Sequence, residues 1–299
     1  MRGSDTREDK TLLYTVKCGG MTAVCNSLGA ELISLKDDSG KEYIWCGDPA
    51  IWARHAPVLF PVVARTINDT VHINGKAYNM GIHGFANKSE FSVVSQTENK
   101  IVFELTENDA ILRQYPFAFS LKVSYEVSEN GYEVTFEVTN TGDMSMPFCI
   151  GGHPGFNCPG DFEDYRIVFE KTEDAWAYIL NDKSCLSEKD REHTLDNTDT
   201  IYLKHSIFDR VDTLHFRELK SDSVRLLDKN DRGIQVDFAD FPMLGLWTAV
   251  GKNAPYICIE PWHGCGAFED ETGELADKPY CITLDPHESR KLSYQVKII

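Results

Sequence analysis

Long apolar runs are missing from this 299-residue chain; the longest, around Pro57 to Ala64 and Pro242 to Val250, both contain proline. Neither approaches the roughly 20 residues a membrane helix needs, so no membrane span is expected. Positive charge is scarce: 30 Lys+Arg stand against 47 Asp+Glu, a formal charge of −17, and no Lys/Arg-rich run occurs. Nucleic-acid affinity rests on cations that neutralise phosphates, so nucleic acid and anionic membrane surfaces drop out as partners. Cysteines number nine, an odd count, and none forms C-x-x-C, which argues against a disulfide framework or a thiolate zinc knuckle. The thiols are expected to be reduced, mostly buried and inert. The first residues, Met1-Arg-Gly-Ser-Asp-Thr-Arg-Glu-Asp-Lys10, lack the apolar core of a signal peptide, so residues 1–10 are expected to be disordered or vector-derived and the protein cytoplasmic.

Several catalytic templates are missing as well. There is no G-x-S-x-G elbow, no phosphate-binding G-x-x-x-x-G-K-[ST], and no G-x-G-x-x-G between a strand and a helix. Serine catalysis and nucleotide cofactors therefore have no support. Helical periodicity is nearly absent too; the candidates are a turn opening at Asp48-Pro49 and a polar stretch from Ser187 to His193.

What is present is alternation with period two. Leu121, Val123, Tyr125 and Val127, a Glu129-Asn130-Gly131 turn, then Tyr132, Val134, Phe136 and Val138 predict a hairpin with one buried face. Similar units run from Leu32 to Trp45, Val71 to Tyr78 and Val224 to Phe238, with turn signals at short spacing throughout. The reading is all-β: one large antiparallel sandwich over residues 11–299.

Four polar residues stand in apolar or glycine-rich settings: Arg65, His83, His153 and Glu260. Arg65 ends Leu59-Phe-Pro-Val-Val-Ala-Arg65, where its fixed donors suit an oxygen-rich ligand and a structural ion pair is the other reading. His83 lies in Gly81-Ile-His-Gly-Phe85 and His153 in Ile150-Gly-Gly-His-Pro-Gly-Phe156, where small neighbours let a ligand approach. Glu260 interrupts Tyr256-Ile-Cys-Ile-Glu-Pro-Trp262, otherwise a buried strand, and carboxylates are seldom buried without a partner. Burial raises a glutamate pKa from about 4.3 towards the range where imidazole titrates, which makes a workable acid/base pair. His83, His153, His263 and Glu260 are also acceptable zinc ligands, although no H-E-x-x-H spacing exists. The acidic segment Glu269 to Glu274 lacks calcium-loop spacing and reads as a solvated turn.

Taken in order, Leu59-Phe-Pro-Val-Val-Ala-Arg65, Gly81-Ile-His-Gly-Phe-Ala86, Gly152-His-Pro-Gly-Phe156 and Ile259-Glu-Pro-Trp262 resemble the aldose 1-epimerase (galactose mutarotase) family, most closely its LacX-like branch. The resemblance covers nearly the whole chain. It implies a large antiparallel β-supersandwich that binds a small-molecule sugar in a concave face and interconverts the α and β anomers of an aldose without cofactor or metal. It further implies that Glu260 is the general base on the C1 hydroxyl and His153 the general acid on the ring oxygen. His83 and Arg65 would bind substrate, as would Asp212, with Asp209 three residues away as the other candidate. Trp262 offers either a stacking face for a pyranose or a core tryptophan. The motifs His153-Pro-Gly-Phe and Glu260-Pro-Trp depart from the longer asparagine-flanked histidine motif and the Glu-Pro-Gln of typical galactose mutarotases. Other readings are a hexose-6-phosphate 1-epimerase, a non-catalytic carbohydrate-binding protein on the same fold, and a zinc hydrolase.

Overall fold

A computed structural model describes residues 12–299; the expectation for residues 1–10 lies outside them. About half of the chain is strand and 8% helix, as the alternation predicts for an all-β protein. The main hairpin forms between Phe119–Ser128 and Gly131–Asn140 in the register Gly131↔Ser128 to Asn140↔Phe119. Its alternating apolar residues, Leu121 to Val127 and Tyr132 to Val138, are all buried, because a period of two puts them on one side of the pleat. The units at Thr70–Ile73 with Lys76–Asn79 and Ser223–Leu227 with Gly233–Asp237 form as read. In the Leu32–Trp45 unit only Glu31–Lys36 is a full strand; its return arm holds one antiparallel bridge, Lys36↔Glu42.

Thr70–Ile73 with Lys76–Asn79 stands as a separate two-stranded ladder and Glu31–Lys36 lies in a three-stranded sheet, while the main hairpin and the Ser223–Asp237 unit belong to a 15-stranded sheet. One end runs Val58–Leu59, Ile150–Gly152, Tyr256–His263, Met243–Trp247, Thr213–Arg217 and Arg166–Tyr178; the other ends at Ser92–Gln96. Every ladder between these neighbours is antiparallel. One apolar cluster spans residues from Val16 to Val296, so both ends of the chain contribute to the same core.

The helix readings need correction. Ser187–Asp190 is a turn, with the Ser187 hydroxyl accepting the Lys189 N–H, and Arg191–Tyr202 is a strand paired along Arg166–Tyr178. Polar composition there reflects an exposed edge rather than a helical face. Asp48 caps a single turn through Ala50 N–H but no helix follows. Among the described residues the longest helix, His205–Val211, has only seven residues, too few to show a periodic stripe. Among the described residues no helix is long and apolar enough to cross a membrane.

Candidate active site

The strand Tyr256–His263 is buried on both faces. Ile257 and Ile259 point into the main core, whereas Tyr256, Cys258, Glu260 and Trp262 occupy the other face. Opposite this strand the chain runs through His153. The pairings Ile150↔His263 and Gly151↔Trp262 on one side and Gly155↔Cys258 and Phe156↔Ile257 on the other share one register. Continuing it across the gap sets His153 directly opposite Glu260. Pro154 has no N–H to donate, so the ladder is interrupted at this pair, and the side chains approach to 3.1 Å between Nε2 and Oε2.

Both groups are enclosed: His153 is 7% and Glu260 1% exposed. Glu260 Oε2 and His153 Nδ1 are buried without hydrogen-bond partners. Trp52 lies over the imidazole with ring centroids 5.0 Å apart, and Trp247 meets it edge-on at 5.5 Å. Burial, helped by the charge of Asp212, pushes the Glu260 carboxyl well above its ordinary value, while the Trp262 indole pulls it back a little. Burial and the neighbouring His83 push His153 well below its own. Both shifts favour the uncharged forms.

The pair opens onto a cavity of about 380 Å³, within the usual range for small-molecule sites. Arg65, His83, His153, Asp212, Glu260 and Trp262 all line it, so six positions from separate stretches of sequence share one hollow. Arg65 is exposed and, among the described residues, has no carboxylate within ion-pair distance, so the structural ion pair is not formed. Asp212 faces the cavity, whereas Asp209 accepts the Gly251 N–H at 2.7 Å. Trp262 is 2% exposed and packs with Leu59, Val63, Cys149 and Met243 in the core, and it also lines the cavity. Trp262 fits because Gly151 and Gly245 carry no side chain: a Cβ would come within 2.6 Å of the indole at Gly151 and 3.2 Å at Gly245.

The tautomer of His83 is fixed. Its Nδ1 accepts the Ala64 N–H at 3.0 Å, so the proton sits on Nε2, and burial lowers its pKa to about 3. It is a neutral hydrogen-bond donor. His263 does not join the others, since its Nδ1 lies 2.7 Å from the Tyr280 carbonyl, to which it donates. The donors that do converge are His153, Cys258 and Glu260. Burial and the nearby Glu260 hold the Cys258 thiol protonated, the wrong form for a metal ligand. The acidic segment spends its charge on protein: Glu271 pairs with the buried Lys278 at 2.9 Å, and Glu274 accepts the Gly75 N–H.

Among the lining residues that escaped the sequence reading are three on these walls, Trp52, Arg54 and Trp247. Trp52 and Arg54 sit on a loop pinned by the buried Glu31 carboxylate, which accepts the N–H groups of His55 and Ala56 at 2.6 and 3.1 Å. Trp247 follows the apolar Met243–Leu246 run and reads as core.

Asp212 caps the short helix with φ 64° and ψ −81°, a conformation costly for a residue with a Cβ. Asp212→Gly should therefore raise unfolding stability by about 1 kcal/mol in a urea titration while raising KM by roughly 10-fold. A variant that loses stability with KM unchanged would make Asp212 a structural residue only.

The large antiparallel β architecture is a fold of the galactose mutarotase type. The chain belongs to the aldose 1-epimerase family, whose sequence profile matches residues 12–297. Protein LacX of Lactococcus lactis subsp. lactis is 35% identical over 291 residues, covering 93% of this chain and 97% of that one. A galactose mutarotase related enzyme from Lactobacillus acidophilus superposes with TM-score 0.91 at 33% identity, covering 96% of this chain and 97% of that one. A galactose mutarotase-like protein from Lactobacillus casei gives 0.89 at 28%, covering 96% and 100%. Members of this family act on sugars and are isomerase-type enzymes.

Proposed function

We propose that the protein interconverts the α and β anomers of a free aldose. The observation carrying this reading is the buried His153–Glu260 pair, 3.1 Å apart and open to the sugar-sized cavity. Glu260, as carboxylate, takes the proton from the C1 hydroxyl while protonated His153 delivers one to the ring oxygen, and the C1–O5 bond breaks. The open aldehyde rotates about C1–C2. On reclosure through the other face, Glu260 returns its proton to O1 and His153 recovers its own from O5. Protons balance and no electrons are transferred, so the cycle calls for no cofactor. The Glu260⁻/His153⁺ and neutral forms are two placements of the same single proton. Arg65, Asp212 and the Nε2–H of His83 hold the substrate's oxygens, and Trp262 walls its apolar side.

A second reading, a hexose 6-phosphate as substrate, is favoured by one observation: Arg54, Arg65 and Lys88 all line the cavity. Among the described residues Lys88, like Arg65, has no ion-pair partner, although Arg54 lies 3.6 Å from Glu31. At physiological salt, charges beyond about 8 Å are largely screened, so these cations outweigh the overall charge of −17 locally. Anomer exchange followed by polarimetry or NMR across glucose, galactose, xylose, arabinose and their phosphates tests both. Catalysed exchange of a free sugar is the expected result. A rate confined to phosphates would transfer the assignment to the second reading, and no acceleration of any would overturn both.

A further inference from the structure

We propose that His215 is a substrate-binding, specificity-determining residue: its Nε2 accepts a hydrogen bond from a sugar hydroxyl on the far side of the cavity from Glu260. The inference rests on the sugar-isomerase reading and adds a contact to it. Nothing in the motif order points to this residue. Thr213-Leu-His-Phe-Arg217 reads as an ordinary alternating strand with Leu214 and Phe216 inward and a polar, solvated outer face. That outer face is instead the cavity wall: Thr213 and His215 both line it, and His215 is only 2% exposed.

Two geometric facts define what this ring offers. Its Nδ1 lies 3.2 Å from the Tyr178 carbonyl oxygen, and a carbonyl only accepts, so Nδ1 carries the hydrogen. The other nitrogen is then a bare lone pair. The ring is neutral near pH 7, since burial lowers its pKa to about 4. His215 is thus the mirror image of His83, whose Nδ1 is the acceptor and whose Nε2 is the donor. In a cavity also lined by the donors Arg54, Arg65, Lys88 and His83, a neutral acceptor matches a hydroxyl that must donate.

The sheet sets the spacing. His215 pairs with Gly245, and Gly245 with Glu260, so the three stand in line across adjacent strands. Two strand spacings separate His215 from Glu260, roughly 10 Å between backbones. The absent side chain at Gly245 leaves the ground between them to the Trp262 ring, which also packs 5.5 Å from His215. A pyranose resting on that indole, with C1 at Glu260, presents its remote hydroxyls to His215.

The test is a set of monodeoxy analogues of the best sugar found in the anomer screen, assayed with wild type, His215→Phe and His215→Gln. Wild type should show a KM about 10-fold higher for one analogue than for the parent sugar. His215→Phe should raise the parent's KM by about 10-fold, with kcat changed less than about 3-fold, and lose discrimination against that analogue. His215→Gln, which keeps an acceptor, should recover part of it. Undiminished discrimination in a folded His215→Phe variant would overturn the proposal. Histidine ¹⁵N NMR of wild type supplies a readout independent of turnover and of variant folding. An unprotonated His215 Nε2 that shifts on sugar saturation is expected; a protonated Nε2, or one that a saturating sugar leaves unmoved, would also overturn it. Sugar binding without anomer exchange would instead sink the isomerase reading and leave this contact standing.

Discussion

Glu260→Gln should reduce the rate of anomer exchange by about 10²- to 10⁴-fold while leaving sugar affinity within roughly 3-fold of wild type. Gln keeps the shape and hydrogen-bonding oxygen of the side chain but cannot take a proton from the C1 hydroxyl. The same change should stabilise the fold, and the sign follows from burial. Because the Glu260 carboxyl is raised above its ordinary 4.5 in the folded protein, folding favours its protonated form. Its stabilising contribution is present below pH about 4.5 and is lost as pH rises through the raised folded value. The melting temperature of Glu260→Gln should therefore exceed that of wild type by more at pH about 8 than at pH about 5. A variant that keeps wild-type turnover removes the base, and a melting-temperature gap that narrows with pH contradicts the burial argument.

His153→Asn should cost a comparable 10²- to 10⁴-fold in kcat/KM and change the shape of the pH profile. Wild type works when the pair carries one proton. On the acid side a second proton adds to His153, whose value is pushed below 6.5, and on the alkaline side the pair loses its proton from Glu260, whose value is raised. A bell is expected, its acid limb lying below pH 6.5. Without the imidazole only the carboxylate remains, so the residual rate should climb with pH through the raised Glu260 value in a single step. Stability responds in the opposite sense at this residue. The depressed His153 value contributes stability present above 6.5 and lost as pH falls, a loss the Asn variant should lack. An unchanged bell in His153→Asn would mean that another group is the acid.

Much of this molecule was legible in the chain. Alternating Leu121 to Val138 defined a buried hairpin face because a strand's period of two leaves few other ways to bury those side chains. Glu260 was conspicuous because a carboxylate inside Tyr-Ile-Cys-Ile-Glu-Pro-Trp has no solvated alternative. The two histidines stood out against glycines, and the family resemblance offered Asp212 or Asp209, of which Asp212 lines the cavity. Two stretches show what local pattern could not decide. Ser187–His193 became a turn and an exposed strand, while one face of the alternating Thr213–Arg217 strand became a cavity wall. Which of two polar faces meets water depends on what packs over it, and no local pattern reports that.

Sequence by itself determined the all-β class and supplied a carboxylate and an imidazole that water would not willingly surrender. Only the tertiary structure set them opposite each other. The partnership of residues 153 and 260 depends on a register between strands more than a hundred positions apart, fixed by hydrogen bonds on both sides of Pro154. The neutral tautomers of His83 and His215 likewise depend on the carbonyl or amide each meets, Tyr178 for one and Ala64 for the other. Residue types set what chemistry is available; long-range pairing sets which atoms face the same hollow and in which protonation state.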